Sequence, residues 1–270
     1  MEIFSTSKTK EDALKIVVAI KQVPDSAARV VVEDGQVNWG DASLVMNPWD
    51  EYAVETALVQ GEAYGAEVTA ITIGGESAKD VLKTALAMGV NNAILISDPA
   101  LMNADSQAFS HVLATAIRNI GDVDLVFFGR QAIDSDSGVA ATQTARILGW
   151  PSLNLVAKIT EINTGNIRLE RILDEGRQIV ESKLPAVVSV SKDIGEPRYP
   201  SFMGIRKAAR ANIPTLSLVD LGITAPVTVT RWTATLNPPQ RQVATEIING
   251  GSPQEIAEIL VDKILAEKVL

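Results

Sequence analysis

Asp124-Leu-Val-Phe-Phe-Gly129 runs straight into Arg130-Gln-Ala-Ile-Asp134-Ser-Asp136-Ser137-Gly138, and then into a helical pattern from Val139 to Leu148. A short apolar run, a polar loop with glycine and an amphipathic segment read as strand, loop and helix. Three further apolar runs share that character: Lys15 to Lys21, Glu67 to Ile73 and Ala93 to Ile96. Helical patterns lie between them at Ser77 to Met88 and Asp105 to Ile120, with Ser77 placed as an N-cap. Another helix is expected over Pro48 to Tyr64, begun by Asn47 as N-cap, Pro48 at the first position and Asp50 three residues on. Strand–helix alternation of this kind means an α/β fold, a mostly parallel sheet with helices on both faces.

The second half has another texture. Pro151 to Val190 is β-rich, with a hairpin signal at Asn163-Thr164-Gly165-Asn166. A loop of Gly, Pro and charge, Lys192 to Gly204, precedes a short basic helix ending near Ala211. After Leu221-Gly222 the chain reads as an extended arm containing Pro226, Pro238 and Pro239. Ser252-Pro253-Gln254-Glu255 is a capping box that opens a terminal helix with Ile256, Ile259, Leu260 and Ile264 on one face. The expected division is an N-terminal extension at 1–14, a nucleotide-binding α/β domain at 15–222, and an arm with its terminal helix at 223–270. Arm and helix have no surface of their own to cover, so a partner subunit is expected.

Composition narrows the chemistry. The 270 residues are 46% hydrophobic, enough for a substantial core. A formal net charge of -9 disfavours nucleic acid, whose phosphates need a basic surface. Cysteine is absent, which removes disulfides, thiol nucleophiles and Cys-ligated metal. The stretch from Met1 to Lys15 has no apolar h-region, and no stretch approaches the ~20 apolar residues that span a bilayer. The expectation is a soluble cytoplasmic protein with no direct membrane insertion.

Catalytic groups are scarce. The single histidine, His111, lies inside a helical pattern and reads as a surface or packing residue. There is no Gly-x-Ser-x-Gly elbow, no Walker A loop and no Gly-x-Gly-x-x-Gly after the first strand. Ile73-Gly74-Gly75-Glu76-Ser77 is faintly similar to the pyrophosphate loop of ATP pyrophosphatases, but lacks its leading Ser and its Asp. No catalytic residue and no metal set is expected. What remains is the loop at Arg130, since open parallel sheets bind ligands at the carboxyl ends of their strands. Ser137, Gly138 and the N–H groups of the following helix form an anion site. Asp134 and Asp136 would repel a phosphate, so either they cap the helix or one turns toward a ribose or adenine edge.

Several stretches, in order, resemble the β subunit of electron transfer flavoproteins. They are Val17 to Asp25, Met46-Asn47-Pro48, Ala85 to Gly89, Gly129 to Asp134, Glu196-Pro197-Arg198-Tyr199 and Pro238-Pro239-Gln240-Arg241. Leu169-Glu170-Arg171 through Asp174, Gly176 and Lys183 to Val188 is close to the family signature. The resemblance spans nearly the whole chain from Lys15 onward. It implies a Rossmann-like domain, an obligate heterodimer with an α subunit, and an electron carrier rather than an enzyme. FAD would be held mainly by α, with its ring near this chain, and AMP would be buried in this chain itself. The implied nucleotide positions are Ala19, Asn47, Pro48, Trp49, Asp50, Ile73, and the loop Arg130, Gln131, Ala132, Ile133, Asp134, Ser135, Asp136, Ser137, Gly138, Val139, Ala140 and Ala141. Asp25 and Ser26 fall where the family's first loop approaches the flavin.

Gly138 to Ala141 departs from relatives that carry a Gln there, which leaves phosphate contacts to Ser137 and backbone N–H groups. In bifurcating relatives a second FAD replaces AMP, and both nucleotides stay open here. Glu196, Pro197, Arg198, Tyr199, Phe202, Met203 and Ile205 match the family's docking loop for flavoprotein dehydrogenases, with Phe202 in the place of its central Leu. Arg198, Arg206, Lys207 and Arg210 would form a charged rim. The alternative is that Phe202 packs into its own core. The implied role is relay of electrons from such dehydrogenases to a quinone oxidoreductase or other acceptor. A stand-alone adenine-nucleotide-binding regulator of universal-stress type shares the sheet and binding edge, but has no use for the arm or the docking loop.

Overall fold

The computed structural model describes residues 14–163, 165–239 and 245–268. The N-terminal extension expected at 1–14, Thr164 of the hairpin corner, and Gln240-Arg241 of the Pro-Pro-Gln-Arg motif lie wholly or partly outside them. The chain runs through β1 (Lys15–Ala19), β2 (Gln22–Pro24), β3 (Val31–Glu33), β4 (Gln36–Asn38), β5 (Leu44–Met46), α1 (Pro48–Tyr64), β6 (Glu67–Ile73) and α2 (Lys79–Met88). It continues through β7 (Asn92–Ile96), α3 (Ser106–Ile120), β8 (Leu125–Phe128), α4 (Ala140–Leu148) and β9 (Ser152–Asn163). The remainder is β10 (Asn166–Leu173), β11 (Gly176–Lys183), β12 (Ala186–Val190), α5 (Phe202–Ala208), β13 (Thr215–Leu216) and α6 (Pro253–Ala266). Two compact units result, Met1–Ala234 and Thr235–Leu270.

The first unit is built on one nine-stranded sheet in the order β11-β10-β9-β12-β8-β1-β6-β7-β13. From β9 through β12 to β13 all pairings are parallel, while β9, β10 and β11 form an antiparallel meander at one edge. β1 shows why the sheet needs helices on both sides. Ile16 and Val18 point into a core with Ala53, Val54, Leu58, Val81 and Leu82 of α1 and α2. Val17 and Ala19 point into another with Leu113, Ile117, Ala141 and Ala145 of α3 and α4. Each buried branched side chain contributes roughly 1.5–3 kcal/mol, and the alternation leaves no face of β1 for water.

Strand order is what creates a site. From β1 the chain steps outward to β6 and β7, then crosses back to place β8 on the other side of β1. The chain after β1 leads to α1 on one face and the chain after β8 to α4 on the other. The binding crevice of such a switch point is therefore expected at the carboxyl ends of these two strands, by Ala19 and Phe128.

Several local expectations are corrected. Ser77 does not cap α2: a 3-10 turn over Glu76–Ala78 intervenes, and the Ser77 hydroxyl donates to Gln22 Oε1 at 3.0 Å. Asn47 precedes α1, but its side chain makes no cap bond. The loop expected from Lys192 to Gly204 ends earlier, because α5 starts at Phe202 with Ser201 accepting from the Gly204 N–H at 2.9 Å. The β2–β5 pair, the β3–β4 hairpin and two-residue β13 were not foreseen, being too short to carry a periodicity. The 163–166 hairpin, the Pro48 helix and the Ser252 capping box stand where the sequence places them.

Candidate functional site

The crevice is walled by three segments that are tied together by polar contacts. Lys21, just past β1, gives its backbone N–H to Asp50 Oδ2 at 2.8 Å, and its ammonium reaches Asp134 at 2.7 Å. Asn47 bridges the start of α1 to the loop after β8: its Nδ2 donates to the Gln131 carbonyl at 2.8 Å, and its Oδ1 accepts from the Ile133 N–H at 3.2 Å. Asn47 is 1% exposed, so it is spent on holding the loop rather than on capping its own helix. The Arg130 guanidinium sits 5.6 Å from the centre of the Trp49 ring, in cation–π range.

Asp50 is the chemically unusual member. Burial pushes its carboxyl up to about 7, although the N–H groups of Lys21 and Gly129, the Asn47 amide and the Lys21 charge all favour its ionised form. Gly129 explains how α1 comes so near: a Cβ there would meet the Asp50 carboxylate and lie 2.6 Å from the Trp49 carbonyl carbon and oxygen. Only a residue without a side chain lets β8 and the first turn of α1 touch.

Neither aspartate of the loop caps α4. Asp134 is taken by Lys21, and Asp136 accepts from the Gln131 side chain. The residue before α4 is Val139, with no side-chain cap, and Gly138 has φ +62°, in the left-handed region. Open N–H groups after a left-handed glycine form a cradle that fits a phosphate. The exposed Ser135, Ser137, Val139 and Ala140 line its rim, while Ala141 turns into the core. Ala19 ends β1, Pro48 starts α1 and Ala132 lies in the loop after β8, while Ile73 ends the adjacent strand β6. Asp25 and Ser26 lie apart, in a turn after β2, where Asp25 Oδ1 accepts from the Ala27 N–H at 2.8 Å.

A second candidate surface is the segment at 196–205. Arg198 is held by Glu55 at 2.8 Å and by Glu62 at 2.5 Å, both on α1. Glu62 and Glu55 together raise its guanidinium further above its ordinary range, so Arg198 is a fastening rather than a free rim charge. Behind it α5 lies on the end of α2, since a Cβ on Gly204 would overlap the Ala87 carbonyl. That seating leaves Tyr199, Phe202, Met203 and Ile205 in solvent, with Phe202 74% exposed. The core alternative for Phe202 is thereby removed. Glu196 is exposed and Pro197 half-buried in the strap between.

Sequence reasoning passed over Lys21 as a site residue, along with Gly129, Glu55 and Gly204. A lysine directly after a buried strand and glycines at element ends are weak signals, because each needs its distant neighbour to acquire meaning. Among the described residues there is no cluster of metal-ligating side chains and no helix long and apolar enough to cross a membrane.

A mostly parallel sheet covered by helices on both faces, with its strand order reversing beside β1, defines a doubly wound α/β protein. The electron transfer flavoprotein domain matches residues 37–221, and the chain belongs to that family. It is 35% identical over 211 residues to the electron transfer flavoprotein subunit beta of Bacillus subtilis (strain 168), covering 78% of this chain and 81% of that one. It is 36% identical over 217 residues to protein FixA of Azorhizobium caulinodans, covering 78% and 77%. Against the caffeyl-CoA reductase-Etf complex subunit CarD of Acetobacterium woodii the figure is 33% over 267 residues, covering 95% and 100%. Members of this family are electron-carrier subunits rather than enzymes.

Proposed function

We propose that this chain is the β subunit of a heterodimeric electron transfer flavoprotein and binds an adenine nucleotide in the crevice between β1 and β8. The α subunit would hold most of an FAD whose ring approaches this chain. The complex would relay electrons in the cytoplasm from flavoprotein dehydrogenases to a quinone oxidoreductase or other acceptor. One observation carries the reading: the uncapped start of α4 behind left-handed Gly138, at the switch point of the sheet. It supports a phosphate at the α4 N-terminus, with Asn47 and Asp50 holding the walls and the Trp49–Arg130 pair beside them. FAD supplies the electron chemistry when bound, and the chain needs only to bind, orient and exclude water. Phe202 and Met203, on a helix fixed by Gly204 and Arg198, support docking of the donor dehydrogenase there.

Co-expression with the α subunit should yield a yellow heterodimer. On denaturation it should release either one FAD and one AMP, or two FAD if the β site carries a second flavin. A well-behaved monomer with stoichiometric FAD overturns the subunit assignment. One FAD with no other adenine nucleotide overturns the β site.

A further inference from the structure

The Asp105 carboxylate does two jobs with its two oxygens. Oδ1 accepts from the Ala108 N–H at 2.9 Å and so caps α3. Oδ2 accepts three donors from residues more than a hundred positions away: the Val229 N–H at 2.9 Å, the Thr230 N–H at 2.8 Å and the Thr230 hydroxyl at 3.0 Å. Residues 223–234 contain no helix or strand, so these contacts stand in for the regular pairing the segment lacks. The segment is gripped by its backbone and by one hydroxyl, which leaves its apolar side chains free. Val227 and Trp232 are 78% and 87% exposed, and Val229 is exposed as well. A monomer gains nothing by ordering a strap whose apolar residues face water, since that adds entropy loss without burial.

We propose that Asp105 is a latch which pre-orders the arm at Val229-Thr230, so that Val227, Val229 and Trp232 are presented to an apolar surface of the partner subunit. The inference rests on the proposed subunit role, because only an assembled partner gives those side chains something to cover. Burial of the carboxyl works against its ionisation, but the N–H groups of Ala108, Thr230 and Val229 and the Thr230 hydroxyl outweigh it and hold it at about 2. The latch therefore stays charged and closed throughout the neutral range. An ordered arm has less freedom to lose on association, which raises affinity with no new contact.

Two variants separate the latch from the helix cap. Asp105→Ser keeps a good N-cap for α3 but is too short to reach the arm as well. Thr230→Pro removes two of the three arm donors and leaves Asp105 intact. In the full chain alone, each should speed amide hydrogen exchange at Val229 and its neighbours while α3 keeps its protection. With the co-expressed α subunit, each should raise the heterodimer dissociation constant about tenfold, as expected for losing charge-assisted hydrogen bonds. The double variant should be no weaker than either single one, because both break the same contact. Unchanged exchange at 229 overturns the latch. Faster exchange with undiminished assembly overturns its role in presenting the arm. A wild-type chain that binds no α subunit sinks the proposed function and the assembly role together, and the exchange result then reports on the latch alone.

Discussion

Asp50 accepts N–H groups from the ends of both strands that flank the crevice, yet it is buried deeply enough that its carboxyl sits at about 7 rather than near 3.8. A folded pKa raised above the unfolded one favours the protonated protein. The stability it contributes is complete below about pH 4 and is lost as pH rises to 7. Asp50→Asn removes that titration while preserving shape. Urea midpoints measured at steps from pH 4 to 8 should show wild type losing stability relative to the variant, by on the order of 4 kcal/mol across the window. A gap that does not vary with pH would mean that Asp50 is ionised throughout. Gly129 is the condition for this arrangement, because any side chain there would force α1 away from β8 and open the carboxyl to water.

α5 is seven residues long, buries Ala208 and brings Gly204 close against the Ala87 carbonyl of α2. Its outer face is held in place from the other end by Arg198 on Glu55 and Glu62. Phe202→Ala should therefore leave thermal stability nearly unchanged, since the ring is mostly in water already. In dehydrogenase-coupled reduction it should cost ~2 kcal/mol of binding, roughly a thirtyfold weaker interaction. Arg206 and Lys207, exposed beside it, should alter the association rate and its salt dependence. If Phe202→Ala lowers the melting temperature by several degrees and leaves reduction unaffected, the docking assignment fails.

No residue of α6 is buried, and Ile259, Leu260, Val261, Ile264 and Leu265 all count among the exposed large hydrophobic residues. An isolated 14-residue helix is marginal in water even with the Ser252–Glu255 capping box and its Lys263–Glu246 ion pair. Its apolar residues should be covered when the heterodimer forms. Leu260→Glu is the discriminating substitution: the chain alone should melt within about 1 °C of wild type, while assembly with the α subunit should weaken at least tenfold. Equal assembly of the two chains would show that α6 lies outside the subunit interface.

Local signals carried far in this chain. Pro48 behind Asn47, the Ser252 capping box and the runs of β1, β6, β7 and β8 all follow from interactions within a few residues of one another. Alternating burial of Ile16, Val17, Val18 and Ala19 needs only a pleat and two helical layers. The loop after Gly129 was legible as a turn into a helix because glycine and a helix start announce themselves locally. Which group does what in that loop was not. Asp134 could cap α4 or turn away, and the choice fell to Lys21, 113 positions earlier in the chain. Asn47 left its helix for Gln131 and Ile133, Asp105 divided itself between α3 and the arm, and Gly204 acquired its purpose from Ala87. Each such outcome depends on which strand lies beside which. Hydrophobic periodicity states that a segment is buried but is silent on its neighbour, and a hydrogen bond cannot be assigned until the order of the sheet has brought its two ends together.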